Sequence, residues 1–163
     1  MEGYTFETSL KKGPNDTDDF IMNIMFNGVR MCELKYHWMT AEDSTKDFKN
    51  LPELIRRMES VLKYGDSSYR TCIDNTNIHI SGNVITFWIS GSHYFTLYLV
   101  INESLVLAYK QLYNWFYAYR KLYDESPEST ALVEDNSAFG STYKVVKIPK
   151  NVLKKPLNPP YDL

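Results

Sequence analysis

Two cysteines, Cys32 and Cys72, are all that the 163 residues contain, and neither sits in a CxxC pair. A small secreted disulfide scaffold is denser in cysteine, and a structural zinc site needs four ligands. Histidine is nearly as scarce: His37, His79 and His93 stand apart, without metal-ligand spacing. Asp16, Asp18 and Asp19 lack the glycine and distal glutamate of a calcium loop. There is no P-loop and no G-x-G-x-x-G, so no nucleotide cradle, cofactor or metal is expected. Excess charge of one sign is missing too. The formal charge is −2 and the pI ≈ 5.9, whereas a duplex nucleic-acid binder is usually strongly basic. No run suits a membrane span, because the aromatic-rich stretch Leu105–Tyr123 is broken by Lys110, Gln111, Asn114, Arg120 and Lys121. The first residues, Met-Glu-Gly-Tyr-Thr-Phe, lack the basic-then-apolar plan of a signal peptide. The sequons Asn15-Asp16-Thr17 and Asn102-Glu103-Ser104 are therefore read as chance, and a cytoplasmic location is expected.

What the chain does have is apolar and aromatic material, at 44% and 15% of its residues, ample for a packed core and too much for disorder. Asn27-Gly28 separates Phe20–Phe26 from Val29–Tyr36. Both turn residues tolerate positive φ, so a hairpin with a type I′ turn is predicted. His37–Lys49 reads as a polar connector. Asn50-Leu51-Pro52-Glu53 then reads as a helix start, with Leu51, Leu54, Ile55, Met58, Val61 and Leu62 at helical spacing and Gly65 as the C-cap.

The stretch Tyr69–Ile101 alternates with period two. A two-residue turn at Gly82-Asn83 pairs Ile80 with Ile85 and Ile78 with Phe87. A three-residue loop, Gly91-Ser92-His93, pairs Ile89 with Phe95, Phe87 with Leu97 and Ile85 with Leu99. Tyr69–Ile73 joins as a further strand. Asn102 is predicted to cap a second helix through about Tyr123, with Leu105, Ala108, Leu112, Trp115, Tyr119 and Leu122 as its main stripe. Tyr113 and Tyr117, beside Val106, lie further round than a one-sided helix requires. Asp124–Ser137 reads as an acidic loop and Tyr143–Ile148 as an edge strand blunted by Lys144, Lys147 and Pro149.

The fold class expected is α+β: an antiparallel β-meander, order ββ-α-ββββ-α, with two helices on one face and an extended C-terminal arm. Residues 1–19 are read as a polar segment, 20–123 as the α+β domain, and 124–163 as loop, edge strand and arm.

Catalytic furniture is thin. Cys72, Asn77 and His79 share the outer sheet face in this register, a chemically reasonable set for a small cysteine hydrolase. The competing reading is a small apolar thiol and a solvated strand histidine. His79-Ile80-Ser81 resembles half the signature of two-histidine phosphoesterases, but neither His37-Trp38-Met39 nor His93-Tyr94-Phe95 supplies the second half. No enzyme is expected. Trp88 and Tyr98 share the outer face with Arg70, His79, Thr86 and Thr96, and open aromatic faces of this kind stack unpaired bases. Asn158-Pro159-Pro160-Tyr161 fits the N-P-x-Y turn motif read by phosphotyrosine-binding domains, in an arm made basic by Lys150, Lys154 and Lys155.

The segment Asn77–Tyr109, and the heavy use of Tyr, Asn, Lys and Ile, resembles small uncharacterised proteins of large double-stranded DNA viruses. The resemblance implies a viral source and assigns no site residue. The function expected is a non-enzymatic protein–protein interaction or assembly protein, a viral accessory or minor structural component. Its partner is itself or another protein, met through Val106, Tyr113 and Tyr117, Trp88 and Tyr98, and Tyr161. Single-stranded nucleic acid is the alternative partner.

Overall fold

Asn27 and Gly28 both hold positive φ, 50° and 81°, in a computed structural model that describes residues 3–13, 18–37, 41–74, 76–89, 95–125, 128–137, 140–149 and 158–163. They join β2 (Asp18–Phe26) to β3 (Val29–Tyr36) as the predicted hairpin. A third strand, β1 (Tyr4–Lys12), pairs with the other side of β2 and completes a sheet of order β1-β2-β3. The N-terminal polar segment thus supplies an edge strand. Its signal was the alternation of Tyr4, Phe6, Thr8 and Leu10, which places Phe6 beside Ile24 in the core. Gly13-Pro14-Asn15-Asp16 is a turn signal in the sequence, and residues 14–17 lie outside the described residues.

The first helix, α1 (Ala41–Tyr64), begins earlier than Asn50, so the polar connector is partly helical and Pro52 lies inside the helix. Proline there forfeits one hydrogen bond, but once a helix is nucleated each added residue costs little. Asn50 does not act as the cap: its Nδ2 donates to the Cys72 carbonyl at 3.4 Å. Leu51, Leu54, Ile55, Met58 and Val61 are buried as their spacing requires, while Leu62 is exposed. Gly65, at φ 90°, ends the helix and donates its N–H to the Val61 carbonyl at 2.8 Å.

The second sheet follows in meander order: β4 (Ser67–Ile73), β5 (Thr76–Gly82), β6 (Val84–Ile89) and β7 (Phe95–Val100). Its register is the predicted one, with Ile80 opposite Ile85, Ile78 opposite Phe87, Phe87 opposite Leu97 and Ile85 opposite Leu99. The loop between β6 and β7 lies outside the described residues. The apolar face of this sheet buries Ile78, Ile80, Ile85, Phe87 and Leu99, each contributing about 1.5–3 kcal/mol on leaving water.

Asn102 caps α2 (Glu103–Glu125), its Oδ1 accepting the N–H of Leu105 at 2.9 Å. Leu105, Val106, Ala108, Tyr109, Leu112, Tyr113 and Phe116 are all buried, an arc broader than one sheet face needs. The breadth is explained by what surrounds it. Tyr109 stacks on Phe87 of the second sheet and meets Tyr36 of the first edge-on. The helix therefore shares one core with both sheets and with α1.

β8 (Glu128–Ser137) and β9 (Gly140–Pro149) form a separate two-stranded sheet. The predicted edge strand is part of β9, but most of the expected acidic loop is β8. Strand formers are sparse in Glu128–Ser137, so its state is set by pairing with β9, from Glu128 opposite Pro149 to Ser137 opposite Gly140. Residues 158–163 carry no regular secondary structure and lie along α2. The remainder of the predicted arm lies outside the described residues. The class is α+β with antiparallel sheets, in the order βββ-α-ββββ-α-ββ.

Candidate interaction face

The second sheet has one face in the core and one in the open. Its register lays the outer side chains in three cross-strand rows. The first is Ser68, Ser81, Val84 and Val100; the second is Arg70, His79, Thr86 and Tyr98; the third is Cys72, Asn77, Trp88 and Thr96. Trp88 is 54% and Tyr98 71% exposed, although both are large aromatics with apolar area to bury. Val100 is 56% exposed. Beside Trp88, the residues Arg70, Asn77, His79 and Thr86 line a shallow depression of ≈ 350 Å³.

The face is poor in charge. Arg70 carries its one fixed charge, and none of the rows holds a carboxylate or a lysine. Interface cores share this composition: Tyr, Trp and Arg enriched, Lys, Glu and Asp depleted.

The Cys72–Asn77–His79 set is brought to this face only loosely. Cys72 stands opposite Asn77, whereas His79 stands opposite Arg70, one row away. Diagonal partners on a sheet are ~7–8 Å apart between Cα atoms. The Cys72 thiol donates to the Asp74 carbonyl at 3.2 Å. Cys32 is held with its thiol protonated further up the pH scale, by burial first and by Glu33 second.

The second set of candidates has a different fate. Tyr113 and Val106, expected to face a partner, are buried within the chain. For Tyr113 the reason is the C-terminal segment. The Tyr113 hydroxyl donates to the Asn158 carbonyl at 2.7 Å, and the Tyr161 ring meets the Tyr113 ring edge-on at 5.3 Å. Tyr117 is half-buried beside Tyr113, with ring centroids 6.5 Å apart. Asn114 holds the segment's backbone: its Nδ2 donates to the Tyr161 carbonyl at 2.9 Å, and its Oδ1 accepts the Tyr161 N–H at 2.8 Å. Lys110 Nζ lies 5.5 Å from the Tyr161 ring centre and bridges to Glu59 of α1. These aromatics are thus core and strap, and the apolar surface read at Val106 and Tyr113 is buried internally, while the side chains of Tyr119 and Leu122 lie outside the described residues. Asn114 and Lys110, the residues that make this docking, stood in the sequence only as interruptions of an aromatic run.

A buried polar joint also escaped the sequence reading. Asp19, 3% exposed, shares a 2.5 Å hydrogen bond with His37 Nδ1 and pairs with Lys35 at 3.2 Å. The His37 N–H donates to Asp74 Oδ2, and the Asp74 N–H donates to Asp47 Oδ2. The joint ties β2 and β3 to the turn after β4 and to α1. Among the described residues, no group of three or more His, Cys, Asp or Glu is placed to hold a metal ion, and no helix is long and apolar enough to cross a membrane.

The chain matches no protein-family model, no curated protein and no solved structure. Its functional reading rests on its own surface.

Proposed function

We propose that the chain is a non-enzymatic protein–protein interaction or assembly protein that meets its partner through the outer face of β4–β7. The observation that carries this reading is the exposure of Trp88 and Tyr98 on a face with no carboxylate and no lysine. Buried aromatic anchors with an arginine beside them dominate binding energy at such surfaces. In keeping with the resemblance of Asn77–Tyr109, the setting is an intracellular viral accessory or minor structural role.

Single-stranded nucleic acid is disfavoured by charge. Aromatic stacking contributes ~1–3 kcal/mol per base, but a strand also needs a cationic groove along its phosphates. Arg70 alone does not make one. Hydrolysis is disfavoured by the separation of Cys72 from His79 across rows.

A photo-crosslinking side chain at position 88, introduced in the cell that makes the protein, tests the reading. Discrete protein adducts are expected, lost when Tyr98→Ala is added. Adducts to nucleic acid alone, or tight binding of a labelled single strand at low salt, would overturn it.

A further inference from the structure

We propose that two copies of this chain join edge to edge through β7, antiparallel about Tyr98, so that their β4–β7 sheets become one continuous sheet. The inference rests on reading this sheet as an interaction surface, and it names the partner as a second copy.

One hydrogen bond tells which backbone groups of β7 point away from β6. The Ile101 N–H donates to the Asn83 carbonyl at 2.9 Å. These two residues stand opposite each other in the register that continues through Val84–Val100 and Ile85–Leu99. Opposed residues in an antiparallel pair alternate between bonded and non-bonded. Leu97 and Leu99 therefore direct their N–H and C=O groups to β6, and Thr96, Tyr98 and Val100 direct theirs away from it. β7 is the last strand in its sheet. Among the described residues, no backbone group pairs with that side.

The other edges of the two larger sheets are protected. On β1, the Phe6 N–H donates to Ser104 Oγ at 2.8 Å and the Tyr4 carbonyl accepts from Asn102 Nδ2 at 2.7 Å, so α2 covers it. β3 carries Arg30, Glu33 and Lys35, and its pairing with β2 contains an irregularity at Ile24/Met25. β4 carries Arg70 and packs against α1. β7 reads Phe-Thr-Leu-Tyr-Leu-Val, with no charge, proline or glycine. Uncharged, unbroken edges are templates for another strand, and proteins that must stay apart blunt them.

Self-complementarity favours a second copy over an unrelated strand. A two-fold axis at Tyr98 sets Tyr98 against Tyr98 of the second copy and Thr96 against Val100. The residues whose backbone groups point away from β6 are then the ones that pair. No like charges meet, because the strand has none. Such an isologous contact closes on itself and leaves no β7 edge over. It also draws the exposed rings of Tyr98 together beside Trp88, extending one aromatic surface across both copies.

Sedimentation of the full chain over a dilution series, with amide hydrogen exchange, tests this. The expected species has twice the 19.1 kDa chain mass, and the N–H groups of Thr96, Tyr98 and Val100 lose protection on dilution. Thr96→Pro removes an outward N–H and no bond within the sheet, as edge positions allow. It is expected to give a folded monomer, as is Val100→Lys, with unchanged far-ultraviolet circular dichroism. A monomer at every concentration, or a Thr96→Pro chain that dimerises like the parent, overturns the proposal and leaves the crosslinking test of the face untouched. Trp88→Ala should keep the dimer. If it alone dissolves the dimer, the copies meet face to face and the edge is not the contact.

Discussion

The hydroxyls of Tyr36 and Tyr109 meet at 2.5 Å in the interior, with both rings fully buried. Tyr36 ends β3 of the first sheet, and Tyr109 stands on α2 with its ring stacked on Phe87 of the second sheet. Tyr36 is hydrogen-bonded to Thr76 of β5 as well. Two hydroxyls thus fix how two sheets and a helix sit together. Apolar packing of the same volume would bind the layers without fixing them, because a polar pair is satisfied in few arrangements.

The two partners are not equivalent. Tyr109→Phe leaves the Tyr36 hydroxyl bonded to Thr76, so the expected loss is about 1 kcal/mol. Tyr36→Phe strands the Tyr109 hydroxyl in the core, and a buried unsatisfied group costs about 1–3 kcal/mol. The double Phe variant should fall nearer the parent than Tyr36→Phe does. Denaturant unfolding of the three variants gives the comparison, and equal losses from the two single variants would remove the asymmetry.

Alkaline pH should act through the same pair. Burial, the largest cause, raises the phenol pKa of Tyr36 and of Tyr109 above the usual value near 10. The folded chain then holds these protons in a range where the unfolded chain releases them. Their contribution is complete below about pH 10 and falls as pH climbs toward the folded values. Unfolding followed from pH 9 to 12 should show stability dropping beyond about pH 10, with a shallower drop in the double Phe variant.

Asp74 gives a test of the same sign at acidic pH. Burial, first, and the neighbouring carboxylates Asp47 and Asp19 raise its pKa, while the hydrogen bond from His37 lowers it. The net rise means that the folded state holds its proton above the unfolded value of 3.8. The stability this group contributes at low pH is lost as pH climbs through the folded value. Asp74→Asn keeps an acceptor for the His37 N–H and suits the positive φ of 54°. The variant should melt higher than the parent at pH 7, with the gain vanishing below about pH 4. A lower melting temperature at pH 7 would show that the carboxylate's charge stabilises the joint.

Cys32 should react slowly. Burial and Glu33 raise its pKa, so little thiolate is present at neutral pH. Cys72, whose thiol donates to the Asp74 carbonyl, should show no more than ordinary reactivity. Timed alkylation read by peptide mass measures both. A Cys72 rate far above that of a simple thiol would restore the hydrolase reading.

Local patterns in the sequence carried much of this fold. The Asn27-Gly28 turn, the Gly65 end of α1, the Asn102 cap and the whole β5–β6–β7 register follow from positive-φ residues, capping chemistry and period-two alternation. Trp88 and Tyr98 were legible as outward-facing because the register fixes the face. Long-range partners were not legible. Nothing near Tyr113 indicates that residues 158–163 will cover it, and β8 is a strand only because β9 lies beside it. The early start of α1 was hidden because Pro52 resembles a first-turn residue, although the helix runs through it.

The strap over α2 supplies the last test. Asn114 pairs through its side-chain amide with both backbone groups of Tyr161, as a neighbouring strand would. Tyr113 adds a hydrogen bond to the Asn158 carbonyl, and its own pKa is raised by burial first and then by Tyr161 and Tyr117. Asn114→Ala removes two hydrogen bonds at once, an expected loss of about 1–2 kcal/mol. Asn114→Asp keeps the acceptor for the Tyr161 N–H and loses the donor, so it should fall between. Because the strap is what covers Tyr113, loosening it should also lower the pH at which that phenol ionises. Carboxypeptidase should trim the Asn114→Ala chain faster than the parent. If the melting curve, the trimming rate and the Tyr113 titration all stay at the parent's values, the strap does not hold the C-terminus in solution, and Tyr113 and Tyr117 return as candidates for a partner surface.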